Sequence, residues 1–131
     1  MKRTIKLNSV RSLTFDDENK KVYESIEEWK AEGKRRFGDD LKAWKYVCPM
    51  CGHVASVQDF INAGVSEDDA LNGACQECLG RHTGKGAPKK GDSSGCNWAA
   101  YGFFGIYNGK GCIVITGEGK GAELFDFAEE E

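Results

Sequence analysis

The chain has 131 residues, of which 40% are hydrophobic and 17 are glycine, and its formal net charge is −3. That length supports one small hydrophobic core, so we expect a single domain over residues 1–131 in which a bound metal would add much of the stability. No run of about 20 apolar residues is present, which excludes a membrane-spanning helix, and the first residues lack the apolar core of a secretion signal. We therefore expect a cytoplasmic protein with no membrane partner.

The charge is distributed unevenly along the chain. Residues 1–47 contain 12 Lys/Arg and 9 Asp/Glu, whereas residues 48–131 contain 6 and 12. A nucleic-acid-binding protein usually carries a basic domain or a concentrated basic stripe, and the chain as a whole does not. The charge therefore favours a protein partner.

Residues 1–45 are predicted to form an N-terminal strand region followed by a helix. The loose alternation of polar and apolar residues over 2–7 indicates one edge strand or two short ones. The charged residues 16–21 are predicted to form a solvated turn or loop.

The clearest helix is predicted to begin after Ser25. Ser25 and Glu28 have the spacing of a capping box, and Gly38 is a residue that ends helices. Trp29 and Phe37 recur on one face of this helix and are predicted to be core contacts.

Residues 46–107 are predicted to form a metal-binding core. A strand over 41–47 leads into Cys48-Pro49-Met50-Cys51-Gly52-His53, in which two thiolates three positions apart can face one ion. A second pair, Cys75 and Cys78, follows after about 20 residues, the spacing typical of a structural zinc site. In a reducing cytoplasm, six cysteines favour metal binding over disulfides.

The segment between the two cysteine pairs is predicted to be mostly helical. We expect a short return strand over 53–57, a two-turn helix over 57–64, and a second helix capped by Ser66. That second helix is predicted to continue through Cys75 and Cys78.

The residues alone leave the choice of ligands open. Spacing selects Cys75, but on a helix Cys75 is equally suited to be a small buried apolar residue. Cys78 is the safer ligand because Gly80 lets the chain turn away from it. His53 and His82 are weaker candidates, since a site made only of cysteines needs no imidazole.

Residues 83–95 are rich in glycine, serine and lysine and have no apolar anchor, so we predict a flexible loop. The segment lacks the pattern of a phosphate-binding P-loop. As a basic finger it supplies candidate partner-binding residues: Arg81 just before it, then Lys85, Lys89 and Lys90.

Residues 108–131 are predicted to form a hairpin strand and an acidic tail. Asn108-Gly109 lies between the aromatic segment 99–107 and the apolar segment 112–116, which indicates a tight hairpin turn. Cys112, within the apolar segment, is predicted to be an inert buried thiol.

Three segments together, CPMCGHVASVQDF, ECLGRH and GCNWAAYGFFG, resemble a small family of uncharacterised bacteriophage and prophage proteins with the pattern CPxCG, ECxGR and GC[DN]W. The resemblance covers about residues 46–105. It implies that Cys75 and Cys112 are particular to this chain and that the four metal ligands are Cys48, Cys51, Cys78 and Cys96.

The expected fold class is a small single-domain α+β protein held together by one structural Zn²⁺ ion. Its cysteine turn would be zinc-ribbon-like or treble-clef-like, and it would have two to three helices and a C-terminal β-hairpin. We predict no catalytic residues. The sequence has no recognisable nucleophile with a base, no zinc site with an open position, and no zinc-deaminase motif.

The function predicted from the sequence is that of a non-enzymatic accessory protein of phage type that binds a host protein. By analogy, the host protein would belong to a defence system such as CRISPR, which the chain would inhibit. The alternative is a nucleic-acid-binding zinc module, supported by the basic N-terminal third and by the lysines of the loop.

Overall fold

Two β-sheets and three helices make up the fold in the computed structural model, which describes residues 2–7, 9–10, 12–18, 21–99 and 111–129. The strands are β1 (Lys2–Lys6), β2 (Ser12–Asp16), β3 (Lys21–Tyr23), β4 (Lys45–Val47), β5 (Val54–Ser56), β6 (Cys112–Gly117), β7 (Lys120–Leu124) and β8 (Asp126–Phe127). The helices are α1 (Ile26–Phe37), α2 (Val57–Asn62) and α3 (Glu67–Gly73). This arrangement confirms the α+β class. Within the described residues, no helix is both long and apolar enough to span a bilayer.

The larger sheet joins strands from both ends of the chain in the order β2-β1-β7-β6-β3. β1 and β2 are antiparallel, as are β6 and β7, whereas β3 runs parallel to β6 and β1 runs parallel to β7. The C-terminal hairpin β6-β7 turns at Gly119, whose φ of 67° suits glycine. The turn predicted at Asn108-Gly109 lies outside the described residues.

The smaller sheet, in the order β5-β4-β8, carries the first cysteine turn. β4 pairs antiparallel with both neighbours, and Tyr46 lies opposite Ala55 on one side and Phe127 on the other. The strand predicted over 41–47 is therefore shorter than expected. Residues Leu41–Ala43 form a 3₁₀ turn because the Asp40 side chain accepts a hydrogen bond from the Lys42 N–H.

Helix α1 begins and ends where the sequence predicts. The Ser25 hydroxyl accepts the Glu28 N–H at 3.1 Å, and the Glu28 carboxylate in turn accepts the Glu24 N–H at 2.8 Å. Gly38, with φ at 86°, ends the helix. The predicted core role of Trp29 is confirmed, since its ring stacks on Phe127 with centroids 5.4 Å apart.

Aromatic rings join α1 to the smaller sheet. Besides Trp29, the rings of Tyr46 and Trp44 lie 5.5 and 5.8 Å from Phe127. Trp44 also lies against Gly33, so that α1 approaches the sheet at the one position without a side chain. Such pairs of rings combine large apolar burial with favourable edge-to-face and stacked geometry.

The return strand and the helix after it agree with prediction, but the second helix does not extend as far as expected. Ser66 caps α3 by accepting the Asp69 N–H at 3.2 Å, yet α3 ends at Gly73. The predicted continuation through Cys75 and Cys78 is wrong. The Cys78 N–H donates to the Trp98 carbonyl at 3.0 Å, a long-range partner that no helix could supply.

Candidate metal centre

Four cysteine sulfurs meet where the two cysteine turns approach each other. The Sγ atoms of the four residues all lie within 4.8 Å of one another: Cys48, Cys51, Cys78 and Cys96. The Cys48 and Cys96 sulfurs are 3.8 Å apart, and those of Cys51 and Cys78 are 3.7 Å apart. In a tetrahedral thiolate site with metal–sulfur bonds of about 2.3 Å, neighbouring sulfurs are about 3.8 Å apart. The cluster can therefore hold a metal ion.

The first turn, between β4 and β5, is shaped by its backbone. The Cys48 N–H donates to the His53 carbonyl, and the Gly52 N–H donates to the Cys48 carbonyl, both at 2.9 Å. Gly52 has a φ of 81°, a conformation that favours glycine. The turn then directs the His53 N–H at the Cys51 sulfur, at 3.4 Å. Backbone amides that point at sulfur stabilise thiolate charge.

The second turn begins at Cys78, which precedes the 3₁₀ turn Leu79–His82. Its sulfur accepts the Cys96 N–H at 3.3 Å. Gly80 lies directly against the Cys96 backbone, where a Cβ atom would come within 2.5 Å of it. The backbone around Cys96 therefore packs directly on the backbone of the second turn, which brings the fourth sulfur into the cluster.

Both histidines lie beside the cluster and contribute no atom to it. His82 Nε2 lies 2.6 Å from Oε1 of Glu77, which is buried, and His53 Nδ1 lies 3.0 Å from the Ser93 carbonyl. Arg81 donates to the Asn97 carbonyl at 2.6 Å. These contacts brace the second turn and the chain that returns to Cys96.

Burial and mutual hydrogen bonding shift the pKa values of the thiols. Hydrogen bonding with Cys48 lowers the pKa of Cys78 and raises that of Cys48, while burial raises the pKa of Cys96 to about 11. Cys51 is only half-buried. Four neighbouring thiolates in this space would repel one another, so a cation is required to hold all of them ionised. With four sulfur ligands, a tetrahedral ion has no position left for water.

The other two cysteines are core residues away from the cluster. Cys75 is buried, its thiol lies 3.8 Å from the Asn72 carbonyl, and burial raises its pKa to about 12. Cys112 is fully buried, and its thiol lies 3.8 Å from the Phe125 carbonyl. Spacing alone would pair Cys75 with Cys78, whereas the structure brings Cys96 to the other three sulfurs. The sequence signals for this arrangement are Gly95, next to Cys96, and Gly80, two residues after Cys78.

The predicted partner-binding residues all lie on the surface. Arg81, Lys85, Lys89 and Lys90 are exposed. The loop that carries the lysines returns to the second turn, since the Lys85 N–H donates to the Gly80 carbonyl at 2.9 Å.

An open cavity that the sequence did not suggest lies beside the pair formed by Glu77 and His82. It has a volume of about 580 Å³, and its wall includes the ends of α2 and α3 together with Glu77 and His82. Gly73 makes room for the Glu77 carboxylate, because a Cβ atom there would lie 2.9 Å from Oε1. The adjacent Glu77-Cys78 in the sequence gave no indication that the carboxylate pairs with His82 and stays outside the sulfur cluster.

The fold and the sulfur cluster define a small α+β protein with a candidate metal centre of four cysteines. A family model described as VVA0879-like matches residues 25–128. The chain therefore belongs to the VVA0879-like family, and the matched part includes all four cysteines of the cluster and leaves out β1, β2 and β3. No curated protein and no solved structure matches the chain.

Proposed function

We propose that the cysteine cluster binds one structural Zn²⁺ ion and that the protein is a non-enzymatic, zinc-stabilised binding module. The observation that carries this proposal is the sulfur geometry, with separations of 3.7 and 3.8 Å in a cluster of four. Four thiolates complete the coordination of zinc, as in structural rather than catalytic sites. Iron is the competing metal for such a donor set.

Metal analysis of the purified protein and of single Cys→Ser variants tests the site. We expect one zinc per wild-type chain, unchanged zinc in Cys75→Ser, and loss of zinc in Cys48→Ser and Cys96→Ser. Iron in the protein from zinc-supplemented cells, or retention of zinc by Cys96→Ser with loss in Cys75→Ser, would contradict the proposal.

Cobalt substitution provides a second measurement for variants that fold poorly. Co²⁺ in the wild-type protein is expected to give the absorption spectrum of tetrahedral cobalt with strong thiolate charge-transfer bands. If the unfolded wild-type protein is refolded in the presence of Co²⁺, the intensity of these bands reports how many thiolates bind the metal, and no substitution is needed. A spectrum of octahedral cobalt would contradict a site made of four thiolates.

We further propose that the partner is a protein of a bacterial host and that binding takes place in the host cytoplasm. The resemblance to phage and prophage proteins supports a host partner, and the surplus of acidic residues in 48–131 supports one with a basic surface. The first turn of α3 presents three exposed carboxylates, those of Glu67, Asp68 and Asp69. A nucleic-acid-binding complex of a host defence system, such as CRISPR, has a basic surface that these carboxylates would complement.

The partner proposal is tested by affinity capture from host lysate, divided into nuclease-treated and untreated halves. We expect one protein to be retained in both halves and to be lost with the variant Glu67→Gln/Asp68→Asn. Glu27→Gln, in the exposed first turn of α1, serves as the control. Enrichment that disappears after nuclease treatment would replace this function with the nucleic-acid-binding alternative.

A further inference from the structure

A basic surface stands out on an otherwise acidic part of the chain. Residues 81–90 contain Arg81, Lys85, Lys89 and Lys90 and no acidic residue. These are four of the six Lys/Arg residues in 48–131, a region with 12 Asp/Glu. All four side chains are exposed. We call residues 81–90 the basic loop.

The backbone of the basic loop is tied to the chain around the metal centre at two adjacent residues, Lys85 and Gly86. The Lys85 N–H donates to the Gly80 carbonyl, and the Asn97 N–H donates to the Gly86 carbonyl, each at 2.9 Å. The first bond ties the loop to the turn after Cys78, and the second ties it to the residue after Cys96. The loop backbone at Lys85 and Gly86 is thus held in place before any partner binds, which reduces the ordering cost of binding.

The acidic groups nearest the basic loop are already engaged. Asp92 accepts the N–H and the hydroxyl of Ser94, at 2.9 and 2.6 Å. These hydrogen bonds, with a smaller contribution from Lys85 and Lys89, lower the pKa of Asp92. Glu77 is buried against His82, and its other carboxylate oxygen lies 3.9 Å from Nε of Arg81. With Asp92 and Glu77 both included, the four cations still outnumber the acidic groups, so the surface keeps a net positive charge.

We propose that the basic loop binds the phosphate backbone of nucleic acid. Lysine contacts phosphate as a point charge without reading bases, the loop contains no Phe, Tyr or Trp for stacking, and its His82 is paired with Glu77, so binding is independent of sequence. This activity goes beyond the proposed binding of a host protein. It rests on the proposed metal site only in that the anchoring bonds lie beside Cys78 and Cys96.

Fluorescence anisotropy of a labelled 20-nucleotide single strand and of its duplex, at 50 to 200 mM salt, tests the loop. We expect affinity to fall linearly with salt on a double logarithmic plot. The variant Lys85→Gln/Lys89→Gln/Lys90→Gln is expected to reduce that slope by about 2 to 3 and the affinity at 50 mM salt by at least about tenfold. The control Lys2→Gln/Lys6→Gln/Lys30→Gln removes the same charge from exposed positions elsewhere and is expected to bind like the wild type.

The metal content of each variant separates this proposal from the proposed function. A loop variant that retains one metal per chain and loses oligonucleotide binding supports nucleic-acid binding by the basic loop. This conclusion does not depend on the outcome of the host-protein capture. Three results would overturn it: no binding at 50 mM salt, equal loss in the loop variant and the control, or binding of polyglutamate as tight as binding of the oligonucleotide. The last result would assign the surface to acidic proteins. A wild-type chain without metal would instead contradict the proposed zinc site.

Discussion

Gly80 and Cys96 are in backbone contact, and a Cβ atom on Gly80 would lie 2.5 Å from both the nitrogen and the carbonyl oxygen of Cys96. Real Cβ atoms essentially never approach other atoms so closely. The same approach allows the Cys96 N–H to reach the Cys78 sulfur at 3.3 Å. The fourth corner of the sulfur cluster therefore depends on the absence of a side chain at residue 80.

Gly80→Ala is predicted to separate the Cys96 segment from the Cys78 turn. Because the obstructing atoms belong to the backbone, they cannot move aside as a side chain could. We expect a loss of about 3 kcal/mol or more in the free energy of unfolding, at the upper end of overpacking effects. Urea denaturation and metal analysis measure the two consequences.

Gly86→Ala is the matched control, since a Cβ at this nearby position in the basic loop meets nothing within 4 Å. We expect it to change stability by less than about 1 kcal/mol. If both alanine variants retain metal and full stability, the contact between Gly80 and Cys96 is not required.

Metal removal is predicted to unfold much of the domain. Structural zinc contributes about 10–16 kcal/mol of apparent folding free energy in small zinc modules, more than the total stability of most domains. A strong zinc chelator should therefore lower the melting temperature by more than about 15 °C or abolish the transition. The chelator preloaded with zinc is the control. An unchanged melting temperature in protein shown to be metal-free would contradict a structural role.

Gly33→Ala places two effects in opposition on α1. Alanine favours a helix over glycine by about 1 kcal/mol, but a Cβ at residue 33 would lie 2.6 Å from Cε3 of Trp44. We expect the clash to prevail, with a net loss of about 1–3 kcal/mol in urea denaturation. Ala31→Gly, at an exposed position of α1, measures the difference in helix propensity between alanine and glycine without a clash. A gain of stability in Gly33→Ala would show that Trp44 can move aside.

Glu32→Gln is predicted to weaken the fold in a pH-dependent manner. Hydrogen bonds from Arg35 and then Arg36 lower the pKa of Glu32 to about 2, and Arg36 also donates to the Ala128 carbonyl at 3.0 Å beyond β8. Because the pKa is lower in the folded chain, the carboxylate stabilises the fold above its unfolded value of 4.5, and this contribution is lost as the pH falls toward 2.

The expected difference in stability between wild type and Glu32→Gln is about 1 kcal/mol at pH 7, shrinking below pH 4.5. Parallel urea denaturation of both proteins across this range measures it. Glu27→Gln is the control for loss of one exposed carboxylate from the same helix. A difference that stays constant from pH 7 to pH 3 would mean that the carboxylate charge does not stabilise the contact.

The features that the sequence predicted well depend on local chemistry. Ser25 and Ser66 begin helices because a hydroxyl can reach an N–H three residues on, and that relation is visible in the sequence. The turn at Cys48 and Cys51 is equally local, since its hydrogen bonds lie within six residues.

The features that could not be predicted depend on contacts between distant residues. α3 ends before Cys75 because the following chain bonds to Trp98 and Phe125, and no propensity within the helix announces this. Likewise, spacing between cysteines could not choose between Cys75 and Cys96, since the choice depends on the packing of two glycine-containing turns. The strand order of the larger sheet could not be predicted for the same reason, because its parallel pairs join strands from the two ends of the chain.

The parallel pairing of Lys21 with Cys112 determines the order in which a ribosome could complete this fold. At about 5–20 residues per second, roughly 5–20 s pass between synthesis of β3 and synthesis of its partner β6. All four cysteines of the cluster emerge before β6 does, so the centre can take up its metal at that stage. The backbone groups of β1 and β3 that later pair with β7 and β6 are still unpaired then. Such unpaired edges are sites of aggregation in nascent chains. Although made first, the N-terminal strands are expected to fold last and to depend most on chaperones during translation.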